Sequence, residues 1–202
     1  MSKFDLFTIF PKTLCISQEP GIEVNDEYIS KINEYEFSRN EGNETSVRFD
    51  ILEDETFDEL RDHLTRQINH YLHDVLRVPE QVDFRFVTSW LNRTQKGGYH
   101  HWHNHPNSFL SGIVNFSEAN TVEFSSSNTV FPGWMPDYEE VNIHNAENLK
   151  MVMQKPGSSV IFPSSLMHSV PAHHEETPRL SLSFNVMLTG PVCTRGVNTL
   201  TI

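Results

Sequence analysis

The chain has 202 residues, enough for one domain with a substantial core, and its formal charge of −12 leaves too few Lys and Arg to grip a phosphate backbone. Nucleic acid is therefore not an expected partner. There are only two cysteines, Cys15 and Cys193, and the stretch from Met1 to Pro11 has no signal-peptide core. No run approaches the roughly 20 apolar residues of a membrane span, so a soluble, cytoplasmic protein without a membrane partner is expected.

Alternating apolar residues predict a strand over Phe4 to Phe10, and Tyr28, Ile29, Ile32 and Tyr35 at helical spacing predict a helix within Asn25 to Phe37. A second helix is expected to begin at Thr56, where Thr56-Phe57-Asp58-Glu59 has the form of a capping box. Its apolar stripe would be Phe57, Leu60, Leu64, Ile68, Leu72 and Val75, and it would end before Pro79. His63, His70 and His73 lie off that stripe and read as solvated side chains.

Beyond Pro79 the period shifts to that of strands. Runs at Phe84–Asn92, Phe109–Phe116, Thr121–Phe124, Leu149–Gln154, Ser158–Phe162 and Leu180–Leu188 are separated by Gly, Pro, Asn and Ser. Short strands at this density imply a mainly β (α+β) fold, a sandwich or jelly roll with the N-terminal helices packed on its outside. Ser125 to Asn148 has no regular pattern and is rich in aromatic residues and proline. It either packs down as an ordered loop or acts as a lid touching substrate.

Four histidines stand within six residues at His100-His101-Trp102-His103-Asn104-His105. Imidazole is the commonest protein metal ligand, and on a strand His101, His103 and His105 share a face, so two of them could grip one ion. His168 is the best candidate for a distant third. Three histidines on one face of an octahedral ion leave the other face open, which suits catalysis; a structural zinc site would be closed by four ligands and usually use cysteine. The alternative is a solvated or backbone-bonded histidine loop. That alternative is weakened by the Gly97-Gly98 turn and flanking strands, which put the cluster at a sheet rim.

From Arg179 to Val186 polar and apolar residues alternate strictly, with Arg179, Ser181, Ser183 and Asn185 on one side. If that side faces the barrel interior, Arg179 is a buried cation that needs an anion, and a dicarboxylate cosubstrate would suit its planar fork. If it faces water, Arg179 is an ordinary surface charge.

In their order and spacing these residues resemble the iron(II)- and 2-oxoglutarate-dependent oxygenases, and within them a group found in bacteria and phages. The match runs from Trp90 to Val186. It comprises Trp90 and Asn92, the glycine turn, His103 through Ser108, Leu110-Ser111-Gly112, Pro156-Gly157, Phe162-Pro163, His168, and Arg179 through Asn185. The resemblance implies a double-stranded β-helix (jelly roll, cupin-like) in one oxygenase-like domain over 1–202. Residues 1–80 would supply the N-terminal strand and supporting helices, and 81–190 the core with the metal site.

It further implies Fe(II) held by His103, His105 and His168, and 2-oxoglutarate as small-molecule cosubstrate. Arg179 and Ser181 would take the remote carboxylate, with Asn92 or Ser111 lining the cosubstrate. The expected reaction is oxidative decarboxylation of 2-oxoglutarate to succinate coupled to hydroxylation of a substrate, for which a peptide or protein is preferred by analogy alone. One departure stands out: where the family usually has His-x-Asp/Glu, this chain has His103-Asn104-His105. His101 is a rival ligand, His100 is read as outside the shell, and Asp137 or Glu139 could supply a carboxylate. Two other functions stay open: a cupin-like three-histidine metalloenzyme that does not use 2-oxoglutarate, and a non-catalytic jelly-roll binding protein with a vestigial site, forming a homodimer through its N-terminal helices or β edges.

Overall fold

A computed structural model describes residues 12–17, 22–118, 120–125, 148–153, 155–192 and 200–202. The strand expected at Phe4–Phe10, Cys193, most of the candidate lid, Asp137 and Glu139 lie outside these described residues.

The helices come first. Asn25 caps α1 (Asp26–Glu34) by accepting from the Tyr28 amide, as the local sequence leads one to expect. Helix α2 (Asp58–Asn69) differs from expectation at both ends. Thr56 is not its cap: two 3-10 turns, Ile51–Glu53 and Glu55–Phe57, precede it, and the Asp54 side chain accepts from the Thr56 amide. At the C-terminal end the chain widens into a π-helical turn, His70–Val75, in which the Leu76 amide reaches back five residues to the Tyr71 carbonyl. The wider turn rotates the stripe, so Tyr71 and Leu72 are fully buried and Val75 is exposed. His70 is exposed and pairs with Asp74, while His63 and His73 are partly covered.

The strands form two antiparallel sheets. The larger has the order β1-β9-β6-β11-β4-β3-β2 and the smaller β5-β10-β7-β8. Their bounds are β1 Cys15–Ser17, β2 Phe37–Arg39, β3 Glu44–Ser46, β4 Asp83–Thr94, β5 His100–His103, β6 Leu110–Asn115, β7 Asn120–Ser125, β8 Asn148–Met153, β9 Ser159–Pro163, β10 Met167–Val170 and β11 Arg179–Thr189. Strands β4, β6, β9 and β11 face β5, β7, β8 and β10 as the two halves of a jelly roll, with β1 and the β2–β3 hairpin extending the larger sheet. The sequence pattern shows the longer core strands but not the three-residue ones, which are too short to display a period.

Two cores follow from the alternation of side chains. Phe57, Leu60, Leu64, Ile68 and Tyr71 pack with Leu91, Leu182, Phe184 and Val186, so the helices cover the outer face of the larger sheet. Between the sheets lie Ile113, Val122, Phe124, Met153, Val160, Phe162 and Leu166. Gly112 is required where it stands, because a Cβ there would lie 2.2 Å from the ring of Phe184, its cross-strand neighbour. The register of β4 against β11 slips between Asn185 and Val186, which leaves Val87 as an extra residue of β4. Phe84 and Phe86 therefore pack on the helix side, whereas beyond the slip Leu91 does so and Trp90 and Asn92 turn inward. Among the described residues no helix is long and apolar enough to cross a membrane.

Candidate metal centre

The odd-numbered side of β11 faces the interior. Arg179 is 6% exposed and lines a cleft together with Asn92, Ser181, Ser183, His103, His105 and His168. The reading of Arg179 as a surface charge is thereby excluded.

His103 and His168 are brought together by strand pairing, since they are direct partners in the β5–β10 ladder, with rings 4.2 Å apart. His105 lies just beyond β5, where the following proline favours extended backbone. Its amide donates to the Ser164 carbonyl, and its own carbonyl accepts from the Ser108 hydroxyl. The ring is 5.0 Å from that of His168 and 5.1 Å from that of His103. One ligand atom from each of the three lies within 4.8 Å of the others. Nitrogens bound at about 2.1 Å to a shared ion span roughly 3 to 4 Å, so small ring movements bring all three into range.

The hydrogen bonds decide which nitrogen each ring offers. His103 Nδ1 donates to the His101 carbonyl and His168 Nδ1 to the Leu166 carbonyl, because a carbonyl can only accept. Nε2 is then the unprotonated atom on both rings. His105 Nδ1 contacts Asn185 Oδ1 at 2.8 Å, and its Nε2 is buried with no hydrogen-bond partner among the described residues. An orphaned, buried imidazole nitrogen beside two others of the same tautomer is what a divalent cation would satisfy. The rings are also held neutral, as ligands must be: burial pushes His168 down to about 3 and His105 down to about 4, with the neighbouring histidines adding to the effect.

His101 does not belong to this group. A bulge between His168 and Val170 breaks the alternation of β5, so His100 and His103 both turn toward the cleft while His101 is exposed, 3.8 Å from Glu41. His100 stacks on His103 at 4.2 Å. Tyr99, just before them, is tied down by its N–H, which donates to the Gly42 carbonyl, and the Gly98 position is too close to that same oxygen to admit a Cβ.

At the other end of the cleft, burial draws the Arg179 guanidinium down to about 10. Its hydrogen bond is to the Pro171 carbonyl at 3.4 Å, and no carboxylate among the described residues forms a salt bridge with it. Ser181 and Asn92 are cross-strand partners on the same wall. Asn92 accepts from Asn43 and donates to Ser183, and Ser111 bonds Asn185 and Ser164. Ser111 therefore stands behind His105, away from the Arg179 end. Asn43 was not foreseeable as a cleft residue, because it sits in a β2–β3 turn with no chemical signature; Trp90, stacked on His105 at 5.6 Å, was legible only through its motif.

A family model described as "Putative 2OG-Fe(II) oxygenase" matches residues 88–185. No curated protein matches the sequence. Among solved structures, HygX from Streptomyces hygroscopicus with nickel, 2-oxoglutarate and hygromycin B bound is 14% identical, covering 87% of this chain and 83% of that one with a TM-score of 0.60. The non-heme alpha ketoglutarate dependent epimerase SnoN from nogalamycin biosynthesis is 15% identical over 94% of this chain and 88% of its own, with a TM-score of 0.56. A Pseudomonas putida prolyl-4-hydroxylase is 13% identical over 86% and 92%, with a TM-score of 0.55. At these identities the likeness is one of fold. The segment 88–185, which carries the histidines and Arg179, matches the 2-oxoglutarate- and iron(II)-dependent oxygenase family.

Proposed function

We propose that the protein is a non-haem iron(II), 2-oxoglutarate-dependent dioxygenase in which His103, His105 and His168 hold the metal through Nε2. The observation that carries this is the pairing of that convergent triad with a buried Arg179 that no carboxylate among the described residues pairs, in one cleft. Bound there, ferrous iron supplies the coupling of O2 and 2-oxoglutarate to substrate hydroxylation, yielding succinate, carbon dioxide and the alcohol.

The chain's own residues do the positioning. The Arg179 fork donates to the remote carboxylate of the cosubstrate, and Ser181, two residues along the same wall, adds a hydroxyl donor. Asn92 closes the side of the cleft, held in orientation by Asn43 and Ser183. Phe162 and Phe124 flank His168 at 4.7 and 6.2 Å and keep water from that side of the triad. On the outer side, a groove lined by Phe49, Trp90, Asn104 and Pro106 leads to His103 and His105, and the substrate enters by this route. Its openness suits a side chain on a peptide or protein.

The test is cosubstrate turnover. Anaerobically reconstituted iron protein given 2-oxoglutarate and oxygen should form succinate, and His168→Ala should not; equal, background-level succinate from both proteins counts against the assignment. The neutral three-histidine set favours one competing reading, a metalloenzyme with an activated water and no 2-oxoglutarate. Under that reading Arg179→Met leaves activity untouched.

A further inference from the structure

The position where the family usually has a carboxylate is His105, and the residues behind it are arranged for an imidazole. Thr88, Asn185 and Ser111 are direct cross-strand neighbours on β4, β11 and β6, forming one polar row across the larger sheet. Within the row, Asn185 Nδ2 donates to Thr88 Oγ1 at 3.1 Å, and Asn185 Oδ1 accepts from Ser111 Oγ at 2.8 Å. Ser111 Oγ in turn lies 2.8 Å from Ser164 Oγ, and since the Ser111 proton is committed to Asn185, Ser164 is the donor in that contact. The amide is thereby oriented from both sides, with its oxygen toward His105 Nδ1 at 2.8 Å.

We infer that Asn185 is a positioning residue: clamped by Thr88 and Ser111, it holds His105 in the tautomer and orientation that presents Nε2 to the metal. The inference rests on the three-histidine reading above. His103 and His168 obtain the same service from backbone carbonyls, which no side-chain substitution removes. His105 alone depends on a side chain. The opposite amide orientation would put the proton on Nε2, leaving a buried N–H without a partner, a rarer and costlier state than an unpaired acceptor.

The ring is restrained at two further points, by the Ser164 carbonyl on its backbone amide and by the Trp90 indole on its face. These keep His105 in place but do not choose its tautomer. A carboxylate at this position would need no such acceptor, so the Thr88–Asn185–Ser111 row is the structural complement of the departure from His-x-Asp/Glu. Asn185 is also neutral, so the proposed ligand set and its support leave the charge of the metal uncompensated. A carboxylate in its place would raise the basicity of the imidazole.

The inference is tested on the full chain with Co(II) and Mn(II) as probes, by competition with a chelator and by the visible spectrum of the Co(II) form. The variants are Asn185→Ala, Asn185→Asp and Thr88→Val, with His168→Ala as control. Asn185→Ala should weaken binding by about 10- to 100-fold and alter the Co(II) spectrum. Asn185→Asp, which keeps the acceptor oxygen, should bind at least as tightly as the parent. Thr88→Val, nearly isosteric and removing one clamp, should give a smaller loss and keeps the test available if Asn185→Ala fails to fold. Side-chain nitrogen NMR of the metal-free protein should show His105 protonated at Nδ1 in the parent and a tautomer mixture once the clamp is removed. Parental affinity and spectrum in Asn185→Ala, or in Thr88→Val if only that variant folds, would overturn the inference while a metal-free His168→Ala upholds the site; parental binding by His168→Ala as well would instead sink the three-histidine reading.

Discussion

Arg179 carries opposite consequences for stability and for ligand binding, and Arg179→Met separates them. The side chain is 6% exposed, and burial alone draws its pKa down to about 10. At about 1.4 kcal/mol per tenfold change in acidity, holding this cation in the fold with no anion beside it among the described residues costs on the order of 3 kcal/mol. Methionine keeps most of the stem's packing and removes the charge, so the variant without cosubstrate should be more stable by about 1 to 3 kcal/mol. For a chain of this size that raises the melting temperature by roughly 2 to 4 °C per kcal/mol. With 2-oxoglutarate the sign reverses. Losing a desolvated guanidinium–carboxylate pair costs about 3 to 5 kcal/mol, or roughly 10²- to 4 × 10³-fold in affinity. Melting curves of the Mn(II)-loaded proteins, with and without 2-oxoglutarate, and calorimetric titration read both effects. A variant that melts below the parent and binds 2-oxoglutarate with parental affinity would refute the argument on both counts.

Metal content should distinguish the histidines: His168→Ala should purify without stoichiometric first-row metal by elemental analysis, whereas His101→Ala, whose ring faces Glu41 rather than the cleft, should retain it. Gly112→Ala should lower stability to urea by at least about 1 to 3 kcal/mol, since the fully buried Phe184 ring has nowhere to move; an unchanged midpoint would mean the β6–β11 contact is looser than described. Burial pushes the Asp54 carboxyl up, but hydrogen bonds from Tyr35 and Thr56 and the nearby Lys31 hold it at about 2, below its unfolded value. Its contribution is therefore complete above about pH 4 and lost as pH falls toward 2. Asp54→Asn should cost about 1 kcal/mol at pH 7 after allowance for solvent screening, and its urea midpoint should converge on the parent's as pH falls from about 4 toward 2; parallel curves would show that the carboxylate contributes nothing.

Where side-chain alternation runs without interruption, it could be read from the sequence. Arg179, Ser181 and Ser183 share the inner face of β11, and Leu182, Phe184 and Val186 the outer, as strict period-two spacing requires. His103 and His168 are far apart in the chain, yet both lie on strands whose pairing makes them neighbours, so residue type and motif spacing sufficed to find them. What was misread shares one physical cause. A bulge in the β5–β10 ladder exchanges His101 for His100 at the cleft, and the π-turn at His70–Val75 carries Val75 off the apolar stripe. Each of these changes the phase of a periodic pattern through pairing or packing with residues distant in sequence, and none leaves a mark in local composition. The support behind His105 is hidden for a related reason: Thr88, Asn185 and Ser111 stand on three different strands that only the sheet makes neighbours, so the row that answers the missing carboxylate exists in the sheet and not in any contiguous stretch of the chain.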